Sequence, residues 1–319
     1  MTELITDVHT HPLLAEYKRI LTGDADAIAA EGVALPPWNL VLHLENMDEH
    51  GIGAGILSLP GMTNVLVGKD ASANARGLNE ELAAVVSQHP DRLGAFAVVP
   101  MHDIDAALIE TAYALDDLNL DGVCVGPQFA GTYLGDDYYD PWFEELNRRG
   151  ATLFVHPDAP PGFSVETSKM NVSVVEFMFE TTRMVATMVL SGAKRRFARV
   201  NIIATHGGGT IPYLATRISL AGSMPWGYRG GPKLDAADIL TGLASFYFDL
   251  TAATAPAALD GLHALVPPTQ LLMGFDYPLM PPQTIEPAKK TFELYSGFDD
   301  NEKALIISGN AHRLFPRFA

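Results

Sequence analysis

The chain has 319 residues, 48% of them hydrophobic, and its 21 Lys+Arg against 38 Asp+Glu give a formal net charge of −17. That balance argues against a nucleic-acid or anionic membrane partner and favours solubility. The single cysteine, Cys124 in the apolar run DGVCVG, excludes an intrachain disulfide framework and fits a buried thiol in a cytoplasmic protein.

The first apolar run begins almost at Met1 with no basic segment before it, so no signal peptide is expected. Residues 4–8 (LITDV) are the first predicted strand, running into DVHTH. Alternate side chains of extended backbone share a face, so His9 and His11 project together while Thr10 points away. The connection from Pro12 to about Gly51 is long and contains PPWNLVLHLENMDEHG, read as an inserted helix starting near Trp38. Loops of this size often cover a substrate. Further strands are predicted at 53–59, 93–99, 121–126, 151–155, 200–204, 245–250 and 270–275. Helices are predicted at 71–88, 103–118, 138–149, 171–191, 210–221 and 255–264, with one or two more after Pro282. The run VVEFMFETTRMVATMVL is interrupted by Glu176, Glu180 and Arg183 and is no membrane span. The segment 222–233, GSMPWGYRGGPK, is a second candidate lid or a subunit contact. Eight strands alternating with helices predict an α/β fold of one domain over 1–319, a (β/α)8 TIM barrel with a helical segment inserted after strand one.

Four of these strands end in residues able to bind metal or move protons, on the face where barrel enzymes do their chemistry. His9 and His11 follow strand one, His156 follows strand five in LFVHP, His206 follows strand six in IIATHGGG, and Asp276 follows strand eight in LLMGFDYP. Each alone is compatible with a strand-end or helix-cap role. Together, neutral imidazoles and a carboxylate suit a borderline divalent ion such as zinc, with a position left open for water or substrate. Gly207, Gly208 and Gly209 let the chain turn sharply where a Cβ would crowd the ligand, or are simply a loop before a helix. Trp38, Phe163, Phe177 and Trp226 read as core or lid packing. His43, His50, His89, His102, His263 and His312 are assigned no chemistry.

The set DVHTH, FVHP, THGGGTIPYLATR and GFDYP resembles the amidohydrolase superfamily, in particular its amidohydrolase-2 branch, related to aminocarboxymuconate-semialdehyde decarboxylase. HPDRLGAFAVVPMHDIDAAL, YDPWFEELNRRGATLFVHP and GNAHRLF extend the resemblance over almost the whole chain, and FETTRMVATMVLSGAKRRFARVNIIATHGGG is similar to decarboxylases of salicylate-type acids. The resemblance implies that His9, His11, His156 and Asp276 hold one metal and that His206 hydrogen-bonds the metal-bound water or the substrate. It also implies that Arg217, eleven residues after His206, contacts the substrate carboxylate, although a helical arginine is more often a surface charge. A second substrate arginine cannot be placed, since Arg76 looks structural. Binuclear members use a lysine at the end of strand four, where DGVCVGPQ has none.

The expected function is nonoxidative decarboxylation of a small aromatic or dienoic carboxylic acid, with one divalent metal (zinc, or manganese as runner-up) and no redox cofactor. His206 or Asp276 would supply the proton to the carbon that loses CO₂. The alternative is a metal-dependent hydrolase of an amide, lactone or C–C bond, which uses the same ligands. A binding protein that has lost catalysis is disfavoured by the intact ligand set. The expected partner is a small carboxylic acid, with homodimer or higher homo-oligomer left open.

Overall fold

The computed structural model describes residues 4–27, 29–30, 33–224, 227–228 and 230–319. Eight parallel strands form one sheet in chain order: β1 (Ile5–Thr10), β2 (Ile52–Leu57), β3 (Leu93–Val98), β4 (Gly122–Val125), β5 (Thr152–Val155), β6 (Asn201–Ala204), β7 (Tyr247–Asp249) and β8 (Leu271–Leu272). These strands are covered by helices outside and by side chains inside, which is why they read as nearly unbroken apolar runs. The barrel closes where the Val8 N–H donates to the Met273 carbonyl (3.0 Å) and the Asp276 N–H to the His9 carbonyl (2.7 Å).

Two of the departures from the expected strand boundaries shape the site. β1 runs on to Thr10, so His9 lies within it and His11 just beyond. β8 is two residues long instead of six, because the backbone after Met273 turns through Gly274 and a left-handed Asp276 (φ 60°) and bonds to β1. Gly274 is needed there: a Cβ would lie 2.8 Å from that of His9 and 2.6 Å from Thr251 Oγ1.

The connection after β1 folds as α1 (Ala15–Thr22), a short ribbon pairing Ala29–Ala30 with Val33–Ala34, and α2 (Leu40–His50). α2 starts two residues after Trp38 because the Asn39 side chain accepts from the Leu42 N–H, and it stops at left-handed Gly51. The other large helices are α3 (Ala71–Val86), α4 (Ile104–Ala112), α5 (Asp140–Arg149), α6 (Val172–Leu190), α7 (Ile211–Ser219), α8 (Ala236–Leu243), α9 (Pro256–Leu265) and α10 (Ile285–Leu294). α8, capped by the Asp235 carboxylate, lies in a stretch for which no helix was predicted. Among the described residues no helix is long and apolar enough to cross a membrane. Trp226 and part of the 222–233 segment lie outside the described residues.

Inside the barrel, Val8, Ile56, Phe96, Cys124, Phe154, Ile203 and Leu272 form a layer with one residue from each of seven strands, and half-buried Tyr247 of β7 packs against it. Ala311 and Phe315 seal that layer from the N-terminal end of the strands. Arg317 anchors the seal by donating to Asp121 and to the Pro90 and Leu93 carbonyls. Cys124 is buried here as expected, and desolvation pushes its thiol far above the usual range. Phe154 stacks on Phe96 at 5.0 Å and supports His9 edge-on at 5.0 Å, so the apolar layer is the floor of the histidine cluster.

Phe315 is 2% exposed and meets the Phe96 ring at 5.7 Å. Truncating a buried phenylalanine removes about 3–5 kcal/mol, so Phe315→Ala is expected to lower the unfolding free energy by that amount, read as a lower urea midpoint at unchanged m value.

Candidate metal centre and active-site cavity

His9, His11, His156 and Asp276 bring one ligand atom each to a common point, all four within 4.8 Å of one another. The three imidazoles are 0%, 0% and 3% exposed, and their orientation follows from what each outer nitrogen meets. His9 Nδ1 is 2.9 Å from Asp249 Oδ2 and 3.1 Å from Thr251 Oγ1. His11 Nδ1 faces the Ser58 carbonyl at 2.9 Å, and His156 Nδ1 faces the Pro157 carbonyl at 2.8 Å. Carbonyls and carboxylates only accept, so each Nδ1 carries the proton and each Nε2 presents a lone pair to the cluster.

Those lone pairs crowd each other. His9 Nε2 and His11 Nε2 are 3.1 Å apart, and Asp276 Oδ1 lies 2.9 Å from His11 Nε2 and 3.7 Å from His9 Nε2. Among the described residues His156 Nε2 and Asp276 Oδ1, both buried, have no hydrogen-bond partner. Three unprotonated nitrogens and a carboxylate oxygen converging without a proton to share fit a divalent cation. Burial lowers the pKa of His9 and, further, of His156, keeping both neutral and ready to ligate.

Asp249, at the end of β7, was not singled out from sequence, and it organises the cluster. While Oδ2 accepts from His9, Oδ1 accepts the backbone N–H groups of His206 and Thr251, both at 3.0 Å. Its position at the C-terminal end of FYFD was the available signal. Asp7, on the same face of β1 as His9 and His11, was also missed. It accepts from the N–H groups of His9 (2.9 Å) and Phe275 (3.2 Å), fixing β1 against the chain after β8. Burial pushes its carboxyl well above the ordinary value.

His206 sits at the edge of the cluster, with Nε2 3.6 Å from Asp276 Oδ2 and Nδ1 3.1 Å from Thr205 Oγ1. It is left-handed (φ 56°), as is Asp276, so two of the five clustered side chains stand on backbone that non-glycine residues rarely adopt. The glycines after His206 also have positive φ, but the close approach that excludes a Cβ is not to the ligand site. A Cβ would strike Ala253 at Gly207, the Phe248 ring at Gly208 and the Met178 carbonyl at Gly209, so these glycines pack the turn against β7 and α6.

Above the cluster lies a cavity of about 390 Å³. Its walls are mainly apolar, with Tyr17, Leu21 and Leu35 from the connection after β1 forming one side, as the covering role predicted for that connection requires. Phe177 lines it and meets His156 edge-on at 5.7 Å. Trp38 instead donates to His43 Nδ1 (3.1 Å), and Phe163 is half-buried away from the lining. Among the described residues no lysine or arginine lines the cavity. Arg217 lies in the last turn of α7, exposed, and is not in the cavity lining. Arg76 pairs with Glu110 (2.9 Å) under Tyr113, a structural role as expected.

The amidohydrolase family model matches residues 6–317. Decarboxylase yanB of Aspergillus niger is 33% identical over 98% of this chain and 87% of its own length. A 6-methylsalicylic acid decarboxylase of Penicillium expansum is 31% identical over 98% and 96%. The crystal structure of a dihydroxybenzoic acid decarboxylase from Polaromonas sp. JS666, with bound manganese and 2-nitroresorcinol, shares the fold at TM-score 0.81 and 23% identity, covering 99% of this chain and 97% of that one.

Asp249→Asn keeps an acceptor for the two backbone N–H groups but turns a donor toward His9 Nδ1, forcing the proton onto Nε2. Metal affinity, measured by chelator competition, is expected to fall about 10–100-fold, the usual loss for an outer partner of a metal-binding histidine, with the unfolding midpoint much less affected.

Proposed function

The chain belongs to the amidohydrolase family, and on that premise we propose that it removes CO₂ from a small aromatic acid of salicylate type bearing a single carboxylate. It is a carboxy-lyase that uses no oxidant, in keeping with whole-length relatives that are decarboxylases and not hydrolases of amides or lactones. The observation that carries the narrower substrate is the cavity: mainly apolar, roomy enough for a substituted benzene ring, with His156, His206 and Asp276 of the cluster in its lining and, among the described residues, no lysine or arginine there. A second anionic group on the substrate would have no cation to meet.

We propose zinc as the resident ion, from three imidazoles and one carboxylate, with manganese, present in the Polaromonas neighbour, as the other choice. When bound, a divalent ion supplies positive charge that orients a carboxylate and an adjacent ring oxygen. His9, His11 and His156 hold that point in a fixed frame, because each is locked through Nδ1.

Chemistry then requires a proton at the ring carbon bearing the carboxylate, followed by departure of CO₂ as aromaticity returns. His206 Nε2 and Asp276 Oδ2, 3.6 Å apart at the cavity floor, are the pair that moves it. Apolar walls from Val172, Phe177 and Leu279 exclude water from the dearomatised ring and offer uncharged CO₂ a medium it enters readily. The buried thiol of Cys124 suits a reducing compartment, and we place the protein in the cytoplasm.

Two measurements test this reading. His206→Asn is expected to retain one equivalent of metal while turnover drops by at least about 100-fold; full turnover in a metal-loaded variant would remove His206 from proton transfer. With a carboxyl-labelled hydroxybenzoate, label is expected in CO₂ and solvent deuterium at the vacated carbon. Label retained in an acid while another bond breaks would establish hydrolysis instead.

A further inference from the structure

Outside the ligand cluster and His206, one charged side chain lines the cavity among the described residues: Asp158, two residues past His156 and 7% exposed. Its surroundings are unusual for a buried carboxylate. The Asn64 Nδ2 amide donates to Oδ2 at 3.0 Å and the Ala159 N–H donates to Oδ1 at 3.1 Å. The Asn64 carbonyl accepts the Ala130 N–H at 3.3 Å, which sets the amide orientation and keeps its donor on Asp158. No lysine, arginine or histidine forms an ion pair with Asp158 among the described residues. Each oxygen therefore has one neutral donor and a lone pair to spare, in a wall that is otherwise largely hydrocarbon. The wall's other hydroxyls are engaged: Tyr17 donates to the Pro60 carbonyl (3.1 Å) and Ser173 to Asn171 Oδ1 (2.7 Å).

We infer that Asp158 is a specificity residue that accepts a hydrogen bond from a neutral hydroxyl on the substrate ring and turns away rings carrying a second carboxylate. The inference rests on the decarboxylase reading for the ring and its first carboxylate, and adds the second polar substituent. A charged acceptor in an apolar wall discriminates in both directions. A ring hydroxyl gains a charge-assisted bond, whereas an anion at the same place meets like charge with no cation to offset it. A ring with only hydrogen or methyl there leaves a desolvated carboxylate short of a partner.

The test is calorimetric binding to the metal-loaded protein of benzoate, 3- and 4-hydroxybenzoate, and benzene-1,3- and 1,4-dicarboxylate, so that the readout does not depend on turnover. At least one of the two hydroxybenzoates is expected to bind about 10–100-fold tighter than benzoate, the scale of a hydrogen bond to a charged group. Both dicarboxylates are expected to bind at least about tenfold more weakly than benzoate. Asp158→Asn should erase the penalty on the dicarboxylates, and Asp158→Ala the advantage of the hydroxyl. Equal binding of all five acids by the unaltered protein overturns the inference without any variant, and so do ratios that Asp158→Asn and Asp158→Ala leave unchanged. CO₂ release from salicylate and its ring-hydroxylated and methylated forms, assayed on the same preparations, separates the two claims. Ratios that depend on Asp158 with no CO₂ from any acid sink the decarboxylase reading alone, whereas CO₂ release with ratios indifferent to Asp158 sinks this one.

Discussion

One buried carboxylate holds the histidine cluster in register with the barrel. Asp249 receives the imidazole proton of His9 from β1, the backbone N–H of His206 after β6, and the N–H of Thr251 in its own turn. Burial alone would raise its pKa, yet His9, His206 and Thr251 keep it below the ordinary value, so the charge that fixes the His9 tautomer is retained. That tautomer leaves Nε2 bare, and the crowding of Nε2 lone pairs against Asp276 then makes the site one that needs a cation. Remove the negative charge at Asp249 and the order of consequences runs outward, from one ring nitrogen to the left-handed turn at His206.

Charge also decides what the cavity accepts. The chain is strongly acidic, the cavity walls carry Asp158 and Asp276, and no side-chain ammonium or guanidinium reaches the lining among the described residues. A carboxylic acid substrate would therefore find its positive charge in a divalent ion held by the histidine cluster. With that ion bound the floor of the cavity would draw an anion, whereas its walls are mainly hydrocarbon apart from Asp158. This polarity orients a monocarboxylate without an arginine clamp, which is why the exposed position of Arg217 does not leave the carboxylate without a place to bind.

The barrel and the convergence of the histidines with Asp276 were legible because both are written in strand periodicity. β-rich runs at regular spacing give eight strands, and His9, His11, His156, His206 and Asp276 stand at strand ends, where the fold itself brings them together. Asp249 and Asp7 were not legible for a related reason. An aspartate at a strand end looks like a turn residue unless it is known what lies across the barrel, and both act on partners more than two hundred residues away. For Arg217 the resemblance gives a position along the chain but not the side of α7 on which it stands, and in the fold it is exposed. The glycines after His206 were read correctly as conformational necessities, but their crowding partners, Ala253, Phe248 and Met178, come from segments that sequence proximity does not reveal. β8 is short because its backbone bonds to β1 after two residues, a tertiary effect that a run of apolar residues does not encode.

The histidine and aspartate cluster is drawn from almost the whole polypeptide, from His9 to Asp276, and the apolar layer beneath it is sealed from near the C-terminus by Ala311 and Phe315. During synthesis the first two histidines emerge early and wait, because no complete coordination sphere exists until the ribosome has translated past β8. A nascent chain therefore cannot use metal binding to guide its early folding, and the ion can reward only a barrel whose strands are already nearly all in place. Until then β1 has an unpaired edge and an uncovered apolar face, the condition in which chains of this size seek help or aggregate. Metal supply would on this account govern the lifetime of the finished enzyme more than the yield of its folding.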